Sequence, residues 1–597
     1  MPMRMPITFC LSRVFKIKLP FQNHASFFST STAVCAKKRK NSRPTTTESS
    51  NAPPEEKPRR NKQSSDDDIP HGIRISSTPF LFEKIVHEKT KHIEVAQLAH
   101  GLDRVLFNPG VHYLKDPRTN HFNFDESLYV VTQPEDFNFE SLPPYKIASG
   151  DPILKELALK HKMKYYSSTS SITNLLAQLY NSISLNQELN LSSLSTAFMN
   201  EKVNFTLMQR KPTSAILKFY DGLYSVDSEK NSNETPAENE ILMQQGKSLE
   251  KLLTASPKEY KMHLNSANLP LGHKFPTEEA FHYAKFENFL LRSQLDCYDD
   301  RLPGKTFDVK TRATVAIRMD PGDFKNNTDY EITRMKGLIS SFEREYYDMA
   351  RSAMLKYNLQ VRIGNMDGIF VCYHNTATIF GFQYISREEM NDVLFGGTQM
   401  GDAAFALSIK WLEKILDAAV AKYYGNDIRL TINVHNNPNQ ITFYAEPMTH
   451  PEGEGSLTKF NVSVNRNSYN ELRNGDSFEN WNIDFDIKET EHHDAPPLAN
   501  STFDSTASNA TAGNKASDFN EALDAFEGEG EGVENTLSGE ILKEQKKEKP
   551  AISQIYAEYM SVRNQVPGLN RKSKKSSGIK LFVKRLKTQA LELGLRG

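Results

Sequence analysis

Asp308, Val309 and Lys310 have the types and spacing of a hydrolytic metal site. They lie in a run rich in β-branched residues, which predicts a strand. Because side chains alternate between the two faces of a strand, Asp308 and Lys310 point the same way. Asp296 stands twelve residues before Asp308, at the end of another strand-like run. Carboxylates brought together in this way can hold a divalent cation that activates a water molecule.

Two extended runs joined by a Leu-Pro-Gly turn predict a β-hairpin over residues 286–318. The first run covers residues 289–295 and leads into Asp296, and the second run carries Asp308. A slip of one residue in such a hairpin turns every side chain to the opposite face. Asp296 is the preferred partner of Asp308 because it lies deeper in the strand, and Asp299 is the alternative.

The triplet Asp-x-Lys is short and recurs in the chain, so only the sequence around each occurrence can indicate which one forms a functional site. Asp486 and Lys488 form the strongest competitor, because WNIDFDIK also has the pattern of a strand. That copy runs into an acidic, low-complexity segment without a following helix. Asp308, in contrast, has acids upstream and an amphipathic helix downstream, and the sequence therefore favours it.

The longer string RSQLDCYDDRLPGKTFDVKTRA resembles the fungal mitochondrial petite-class family of proteins that process RNA 5′ ends. An acid followed twelve residues later by Asp-x-Lys on a hairpin also resembles the PD-(D/E)XK nuclease superfamily. The resemblance covers residues 70–485. It implies an α/β (α+β) fold with a restriction-endonuclease-like core, in which helices flank a central mixed β-sheet. The composition of the two termini predicts disorder there.

The same resemblance assigns roles to the residues of the hairpin. The metal ligands would be Asp296, Asp308 and the main-chain carbonyl of Val309. The metal would be Mg²⁺ or Mn²⁺, since both accept oxygen ligands. Lys310 would orient the attacking water or stabilise the negative charge that develops.

A further acid on a helix before the metal strands is common in nucleases of this kind. The sequence predicts a helix that begins near Thr277 and contains Glu279 and Glu287, which makes these two acids the candidates. The alternative interpretation of either residue is an ordinary acid on a helix surface.

The resemblance implies a Mg²⁺-dependent 5′-to-3′ exoribonuclease that acts on single-stranded mitochondrial transcripts, alongside the RNA-processing or transcription machinery. Three basic side chains near the hairpin would meet the backbone phosphates, namely Arg292, Arg312 and Arg318. Two alternatives stay open. The first is a catalytically inactive nuclease fold that serves as an RNA-binding scaffold in mitochondrial RNA processing or translation. The second is a mitochondrial DNA nuclease.

Composition divides the chain into segments. No acidic residue precedes Glu48, and the basic, Ser-rich stretch before it predicts a mitochondrial transit peptide; a nuclear signal or a nucleic-acid-binding arm is the alternative. The protein would then lie in the matrix, with a peripheral contact to the inner membrane. The predicted segments are a transit peptide (1–47), a disordered linker (48–68), an accessory α+β region (69–260), the nuclease-like core (261–485), an acidic disordered linker (486–549) and a C-terminal helix with a basic tail (550–597).

Net charge, cysteine count and the length of apolar runs exclude some classes of protein. The net charge is −1 over 597 residues, so bulk charge predicts no partner. Four scattered cysteines are too few for a disulfide framework or a zinc site. No apolar run reaches the length of about 18 residues that a membrane-spanning helix needs. Residues 571–587 carry eight Lys and Arg with apolar residues between them, which suits RNA, an anionic membrane or plain solvent.

Several local patterns bear on the site. A Ser/Thr cluster over residues 167–171 precedes a helical pattern and predicts either a helix cap or a phosphate site. Residues 227–247 predict a polar loop or hinge. Further predicted elements include long helices over 330–358 and 403–424 and strands over 359–364 and 368–374.

Overall fold

The computed structural model describes residues 73–76, 82–87, 93–185, 187–229, 237–435, 440–448, 457–467, 482–490, 552–567 and 577–594. All of them belong to one compact unit, Ile69–Gly597. The predicted transit peptide and the first linker lie outside the described residues, as do residues 491–549 of the predicted acidic linker.

The described residues form sixteen strands in two sheets. In chain order the strands are β1 (Ile73–Ser76), β2 (Glu83–Ile85), β3 (Val111–Tyr113), β4 (Tyr165–Ser168), β5 (Thr213–Tyr220), β6 (Leu223–Ser228), β7 (Phe281–Phe286), β8 (Phe289–Gln294), β9 (Cys297–Tyr298), β10 (Thr306–Ala313), β11 (Gly368–His374), β12 (Ile379–Ser386), β13 (Ile428–Val434), β14 (Gln440–Pro447), β15 (Thr458–Asn467) and β16 (Asn482–Glu489). The larger sheet has the order β1-β16-β15-β14-β13-β5-β6-β4-β8-β7-β2, and the smaller sheet has the order β3-β12-β11-β10-β9.

Helices cover both sheets. In chain order the α-helices within the described residues are α1 (Pro152–Lys160), α2 (Thr169–Ile183), α3 (Leu207–Arg210), α4 (Ala237–Thr254), α5 (Pro257–Met262), α6 (Val315–Met319), α7 (Phe342–Ser352), α8 (Met354–Ile363), α9 (Arg387–Phe395), α10 (Thr398–Lys422), α11 (Ile552–Arg563) and α12 (Ser577–Glu592). Helix α2 packs on β5, β6 and β13, and α10 packs on α2 and on β16. The helix predicted over residues 403–424 is confirmed as α10.

Both sheets are mixed. Strand β4 runs parallel to β6 and to β8, and β10 runs parallel to β11, whereas the other pairs of these strands are antiparallel. The predicted fold class, a central mixed sheet flanked by helices, is confirmed. Strands from the predicted accessory region and from the predicted core region alternate in the larger sheet, so the two regions share one sheet.

The helix predicted from Thr277 is wrong. The chain forms the hairpin β7–β8 instead, in which Phe286 pairs with Phe289 across a two-residue turn. Glu287 in that turn has a φ of 49°, which no right-handed helix contains. The aromatic side chains pack on both faces of the sheet, Tyr283 on one and Phe286 on the other, and this burial decided the structure.

The hairpin predicted over residues 286–318 is only partly correct. Its first run, β8, pairs with β4 and β7 in the larger sheet, while its second run, β10, lies in the smaller sheet between β9 and β11. A short antiparallel pair remains at the tip, where Phe307 pairs with Cys297. Leu290 and Leu291 are fully buried on opposite faces of β8, and the interior of the larger sheet provides that cover.

The single helix predicted over residues 330–358 is also wrong. Ser341 caps α7 by accepting a hydrogen bond from the backbone amide of Arg344, and the backbone leaves helical geometry again at Ala353 before α8. Most of the strand predicted over residues 359–364 lies in α8. The apolar side chains Leu359, Val361 and Ile363 alternate with polar ones, and this period of two predicted a strand. All three are buried on α8, so tertiary packing overrides the local alternation.

Two polar segments are more ordered than their composition predicts. Residues 237–247 of the predicted hinge belong to α4, which packs against β10. The predicted acidic linker begins at residue 486, yet β16 continues to Glu489 and pairs with β15. Tertiary contacts hold both segments although their own sequences carry few large apolar side chains.

The predicted basic tail contains helix α12. Phe582, Val583 and Leu586 are buried in a cluster with Val315 and Ala316 of α6. These three apolar residues were predicted to form part of a stripe that could face a membrane, and the fold covers them instead. The lysines of the opposite side remain exposed.

Candidate active site

Strands β4 and β8 end at the same edge of the larger sheet because they run parallel. Ser168, the last residue of β4, pairs with Arg292 of β8. Helix α2 begins directly after β4, and β8 leads into Asp296. Both ends line one cavity of about 170 Å³. The carboxyl ends of parallel strands are a common position for binding sites, because loops and helix N-termini converge there.

Strand β10 carries the Asp-x-Lys triplet into the same cavity. Lys310 Nζ lies 2.5 Å from Asp308 Oδ2, as expected for neighbours on one face of a strand. The backbone amide of Val309 donates a hydrogen bond of 3.0 Å to Asp296 Oδ2. Because the N–H and C=O of one strand residue point the same way, the carbonyl of Val309 is also directed to this side. The predicted acids, ammonium and main-chain group are therefore brought together.

Glu250 is the acid that sequence reasoning missed. It lies on α4 and lines the cavity, where the charge of Asp308 acts on it. The surrounding segment was interpreted partly as a hinge because of its polarity. A signal was present, since Ile241, Gln245 and Leu249 recur at intervals of four and are all buried. That spacing marks one face of a helix and places Glu250 one residue beyond the last of them.

The carboxyl groups in the cavity do not ionise independently. Burial and the charges of Asp308 and Glu250 raise the pKa of Asp296 well above its usual range, and the Asp296 carboxyl also shares a hydrogen bond with Asp308. Burial, opposed by the charge of Lys310, raises the pKa of Glu250 to about 7. Closely spaced carboxyl groups behave in this way because two neighbouring negative charges repel each other, which favours keeping a proton between them.

Lys310 remains an ammonium in this surrounding. Burial lowers its pKa, but the carboxylates of Asp308 and Asp296 outweigh burial and raise the pKa above the ordinary value of a lysine. The ring of Tyr357 lies 5.4 Å from the ammonium and adds a cation–π contact. A lysine that keeps its proton at neutral pH cannot act as a base, so its chemistry is to stabilise negative charge.

The donor atoms suit a hard divalent cation. No group of three or more His, Cys, Asp and Glu side chains in the described part of the chain is already arranged as a metal centre. The available ligands are nevertheless all oxygens, from Asp296, Asp308, Glu250 and the carbonyl of Val309. Two carboxyls that share a hydrogen bond are close enough for one cation to replace the proton between them. Magnesium keeps several waters and needs few protein ligands, so these residues fit it.

The three acids of second choice have different positions. Glu279 lines the cavity, but it does so from the extended segment before β7, and burial raises its pKa. Glu287 lies in the β7–β8 turn, 3.6 Å from Lys410. Asp299 is bound by Arg301 at 2.6 Å. Neither Glu287 nor Asp299 is among the residues that line the described cavity.

Arg292 lines the cavity but has partners within the protein. Its guanidinium lies 2.5 Å from Asp151 and donates a hydrogen bond of 2.6 Å to the carbonyl of Lys146. The same group stacks over the ring of Phe281 at 4.4 Å. Arg292 therefore fixes the wall of the cavity, with little capacity left for a phosphate.

Arg312 and Arg318 lie outside the cavity. Arg318 binds Glu345 and Asp348, and Arg312 lies 4.0 Å from Glu345 with 7% of its side chain exposed. These groups stabilise the junction of β10, α6 and α7. Arg318 is occupied by its two carboxylate partners, whereas Nε and Nη2 of the buried Arg312 have no hydrogen-bond partner among the described residues. The RNA contact predicted for these two arginines stays a prediction.

Known proteins similar to this chain identify its family. The sequence profile of a family described as "Mitochondrial protein Pet127" matches residues 145–417. The "mRNA degradation protein pet127, mitochondrial" of Schizosaccharomyces pombe is 36% identical over 392 residues, which cover 62% of this chain and 74% of that protein. The chain belongs to the Pet127 family. PET127 of Saccharomyces cerevisiae is 38% identical over 320 residues, which cover 50% of this chain and 38% of that protein.

Solved structures of Rai1 are also similar to this chain. Rai1 of Scheffersomyces stipitis, in complex with (3′-NADP)+ and calcium ion, has a TM-score of 0.33 and 12% identity, covering 63% of this chain and 91% of that one. Candida albicans Rai1 in complex with pU5-Mn2+ has a TM-score of 0.30 and 11% identity, covering 53% of this chain and 80% of that one.

The stretch that matches the Pet127 family contains the whole cavity. It begins at Tyr145, the first lining residue, and extends past Gln360, the last one. Helix α12 lies outside the match. The family prediction from the hairpin string is therefore confirmed, and the part of the chain that carries it is the part that builds the site. Within the described residues, no helix has both the length and the apolar composition of a membrane span.

Proposed function

We propose that this chain is a metal-dependent nuclease of the PD-(D/E)XK type that degrades or trims single-stranded mitochondrial RNA from its 5′ end. One observation carries the proposal: Glu250, Asp296 and Asp308 converge around Lys310 in a single narrow cavity. The name of the Schizosaccharomyces pombe relative, an mRNA degradation protein, supports RNA as the substrate. The proposed location is the mitochondrial matrix, with any membrane contact peripheral.

The oxygens of Asp296, Asp308 and Glu250 would hold Mg²⁺ or Mn²⁺, with the carbonyl of Val309 as a further ligand. When bound, the cation supplies a water of lowered pKa and offsets the charge of the phosphodiester. Lys310 donates hydrogen bonds to the phosphate oxygens as negative charge grows on them. Asp308 holds the Lys310 ammonium in place at 2.5 Å, so the donor is oriented before the substrate arrives.

The dimensions of the cavity favour a single strand. A volume of about 170 Å³ receives a phosphate and part of a nucleotide, and it excludes a duplex. Tyr145 lines the cavity and is 48% exposed, and its hydroxyl lies 2.8 Å from the hydroxyl of Ser170. Stacking on an exposed aromatic ring is how many proteins hold unpaired bases without reading their sequence.

Purified protein incubated with 5′-monophosphate single-stranded RNA, and separately with DNA of the same sequence, tests the proposal. We expect Mg²⁺-dependent shortening of the RNA from its 5′ end and none by Asp308→Ala. RNA binding without cleavage by the wild type would instead support the scaffold. Faster loss of the DNA would support a DNA nuclease. Either result would overturn the proposal.

A further inference from the structure

The N-terminus of α2 lacks a side-chain cap. Ser168 occupies the cap position, yet its side chain makes no hydrogen bond to the helix amides. Its hydroxyl bonds the hydroxyls of Ser170 at 2.9 Å and Ser171 at 3.3 Å instead. Of the two interpretations of the Ser/Thr cluster, the structure therefore disfavours the cap. The first amides of a helix of 15 residues, with their partial positive charge, are left for another acceptor.

That helix end borders the cavity of the candidate active site. Ser168, Thr169 and Ser170 all line it, together with Asp308 and Lys310. The positions follow from the sheet, because parallel β4 and β8 deliver the start of α2 and Asp296 to one edge. Neighbouring strands therefore bring the N-terminus of α2, which has partial positive charge, and the carboxylate of Asp296 to one cavity.

Thr169 supplies an independent indication of a ligand. Only 8% of the residue is exposed, and it lines the cavity. Its carbonyl accepts a hydrogen bond of 2.8 Å from Thr173 Oγ1, but within the described part of the chain no hydrogen bond reaches the Thr169 hydroxyl. The residue is enclosed but borders the cavity, so water or an entering ligand can supply the partner that the protein does not.

Lys146 adds a cation to the same wall. Its side chain lines the cavity and, among the described residues, makes no ion pair within 4.0 Å, although its charge acts on Glu279 in the same cavity. A free ammonium, an unpaired hydroxyl and uncapped helix amides are together the groups that bind phosphate. Four acids line the same cavity, namely Glu250, Glu279, Asp296 and Asp308, and they repel a phosphate, so an anion is expected to bind at the α2 end beside Lys146.

We propose that the N-terminus of α2, with Thr169 and Lys146, binds the 5′-terminal phosphate of the RNA while the first phosphodiester lies at Asp308 and Lys310. The inference rests on the proposed function, of which it names the substrate end. A terminal phosphate carries a charge of about −1.5 to −2 near neutral pH, against −1 for a diester, so the helix end prefers it.

Direction of degradation follows from this arrangement. A strand anchored by its 5′ phosphate presents its first phosphodiester to the acids, and each cycle releases one nucleoside 5′-monophosphate. The next nucleotide then carries the new 5′ phosphate and can take the same place. The residues of the hairpin alone gave no such polarity.

The test compares two RNAs that differ only at the 5′ end. Full-length protein is assayed on 3′-labelled single strands with a 5′ phosphate or a 5′ hydroxyl, and the ratio of the two kcat/KM values is the readout. We expect the wild type to favour the 5′ phosphate about tenfold or more. Thr169→Val and Lys146→Met should each bring the ratio towards one. Thr173→Val, which removes the same atoms one helical turn later, should keep the wild-type ratio.

A binding measurement, which needs no cleavage of RNA, tests the phosphate site separately from the proposed nuclease activity. In an Asp308→Asn background, fluorescence anisotropy should show tighter binding of the 5′-phosphate RNA, and Thr169→Val should abolish that preference. This holds even if no RNA is cleaved by any form of the protein, in which case only the nuclease proposal fails. Equal affinity for both RNAs, or equal slowing of both substrates by Thr169→Val and Lys146→Met, would overturn the phosphate site.

Discussion

Two strands of this protein carry the same triplet, and only one of them builds a site. Asp308 and Lys310 on β10 are 2.5 Å apart, and Asp486 and Lys488 on β16 are 2.8 Å apart, so the local geometry is alike. Burial differs. The Lys310 side chain is 19% exposed and that of Lys488 is 68% exposed. The pair on β16 is a solvated ion pair, whereas the pair on β10 is enclosed with further acids.

The neighbours of each strand explain the difference. Strand β10 lies beside β11, and its other side receives the carboxylate of Asp296 and the helix that carries Glu250. Strand β16 is paired on both sides by β1 and β15, close to the edge of the larger sheet. An Asp-x-Lys triplet therefore gains chemical meaning from residues that are distant in sequence, because they exclude water and add charge.

The largest difference between the two strands should come from replacing the aspartate of each triplet. We expect Asp308→Asn to lower kcat/KM on RNA by about a thousandfold or more, since it removes a cation ligand and the partner of Lys310. Asp486→Asn should leave kcat/KM within about twofold of wild type, as expected for a surface change. Steady-state kinetics on one RNA measures both. Similar losses in the two variants would erase the distinction between the strands.

A smaller loss is expected from the acid on α4. Glu250→Gln should lower activity by about a hundredfold and weaken the activating effect of Mg²⁺, because one of the oxygen ligands becomes a neutral amide. Glu287→Gln, in the distant β7–β8 turn, serves as the matched control. A Mg²⁺ titration of activity gives both values. If the two variants needed the same Mg²⁺ concentration, Glu250 would have no part in holding the cation.

The pH dependence of stability should distinguish the enclosed acids from the solvated ones. A carboxyl whose pKa is raised in the folded state stabilises the protein below its unfolded pKa, and this stability is lost as pH rises through the folded pKa. For Glu250 that folded value is about 7. We therefore expect the Tm of metal-free wild type, measured relative to that of Glu250→Gln, to fall between about pH 5 and about pH 8.

Mg²⁺ should reverse that loss, because a cation favours the ionised carboxyls. We expect the rise in Tm on adding Mg²⁺ to be larger at about pH 8 than at about pH 6 in the wild type, and nearly equal at both in Glu250→Gln. Thermal unfolding followed by intrinsic fluorescence measures it. An identical rise at both pH values in the wild type would contradict proton–metal exchange at this site.

The smallest effect concerns the solvated pair. Lys488→Met should change the free energy of unfolding by no more than about 0.5 kcal/mol, since exposed ion pairs contribute little. Chemical denaturation with and without about 0.5 M salt provides the measurement, and salt should shrink any difference further. A change of several kcal/mol would show that burial does not separate the two triplets.

The sequence predicted well what depends on short stretches of chain. Asp308 and Lys310 share a face because a strand has a period of two, and α10 is long enough for its helical period to be clear. The preference for Asp296 over Asp299 rested on its depth in the first run and on the spacing of the resembled family, and Asp296 is the one that reaches Val309. Its role in catalysis stays a prediction.

What could not be predicted depends on contacts between distant segments. Nothing near β8 indicates that it leaves the hairpin to join β4, because that choice reflects which sheet can bury Leu290 and Leu291. Glu250 enters the cavity through the packing of α4 on β10, although the chain separates them by more than a strand and a hairpin. Polarity made α4 resemble a loop when no packing partner was known.

Helix α12 lies outside residues 145–417, the stretch that matches the family, so a truncated protein could be designed without it. Its side chains nevertheless cover Val315 and Ala316, which directly follow the strand of Asp308 and Lys310. Lys587 also fastens it to Asp329 at 2.8 Å. Deleting α12 alone would therefore expose Val315 and Ala316 next to the proposed active site, and poor solubility of such a protein would reflect this apolar surface and not the chemistry.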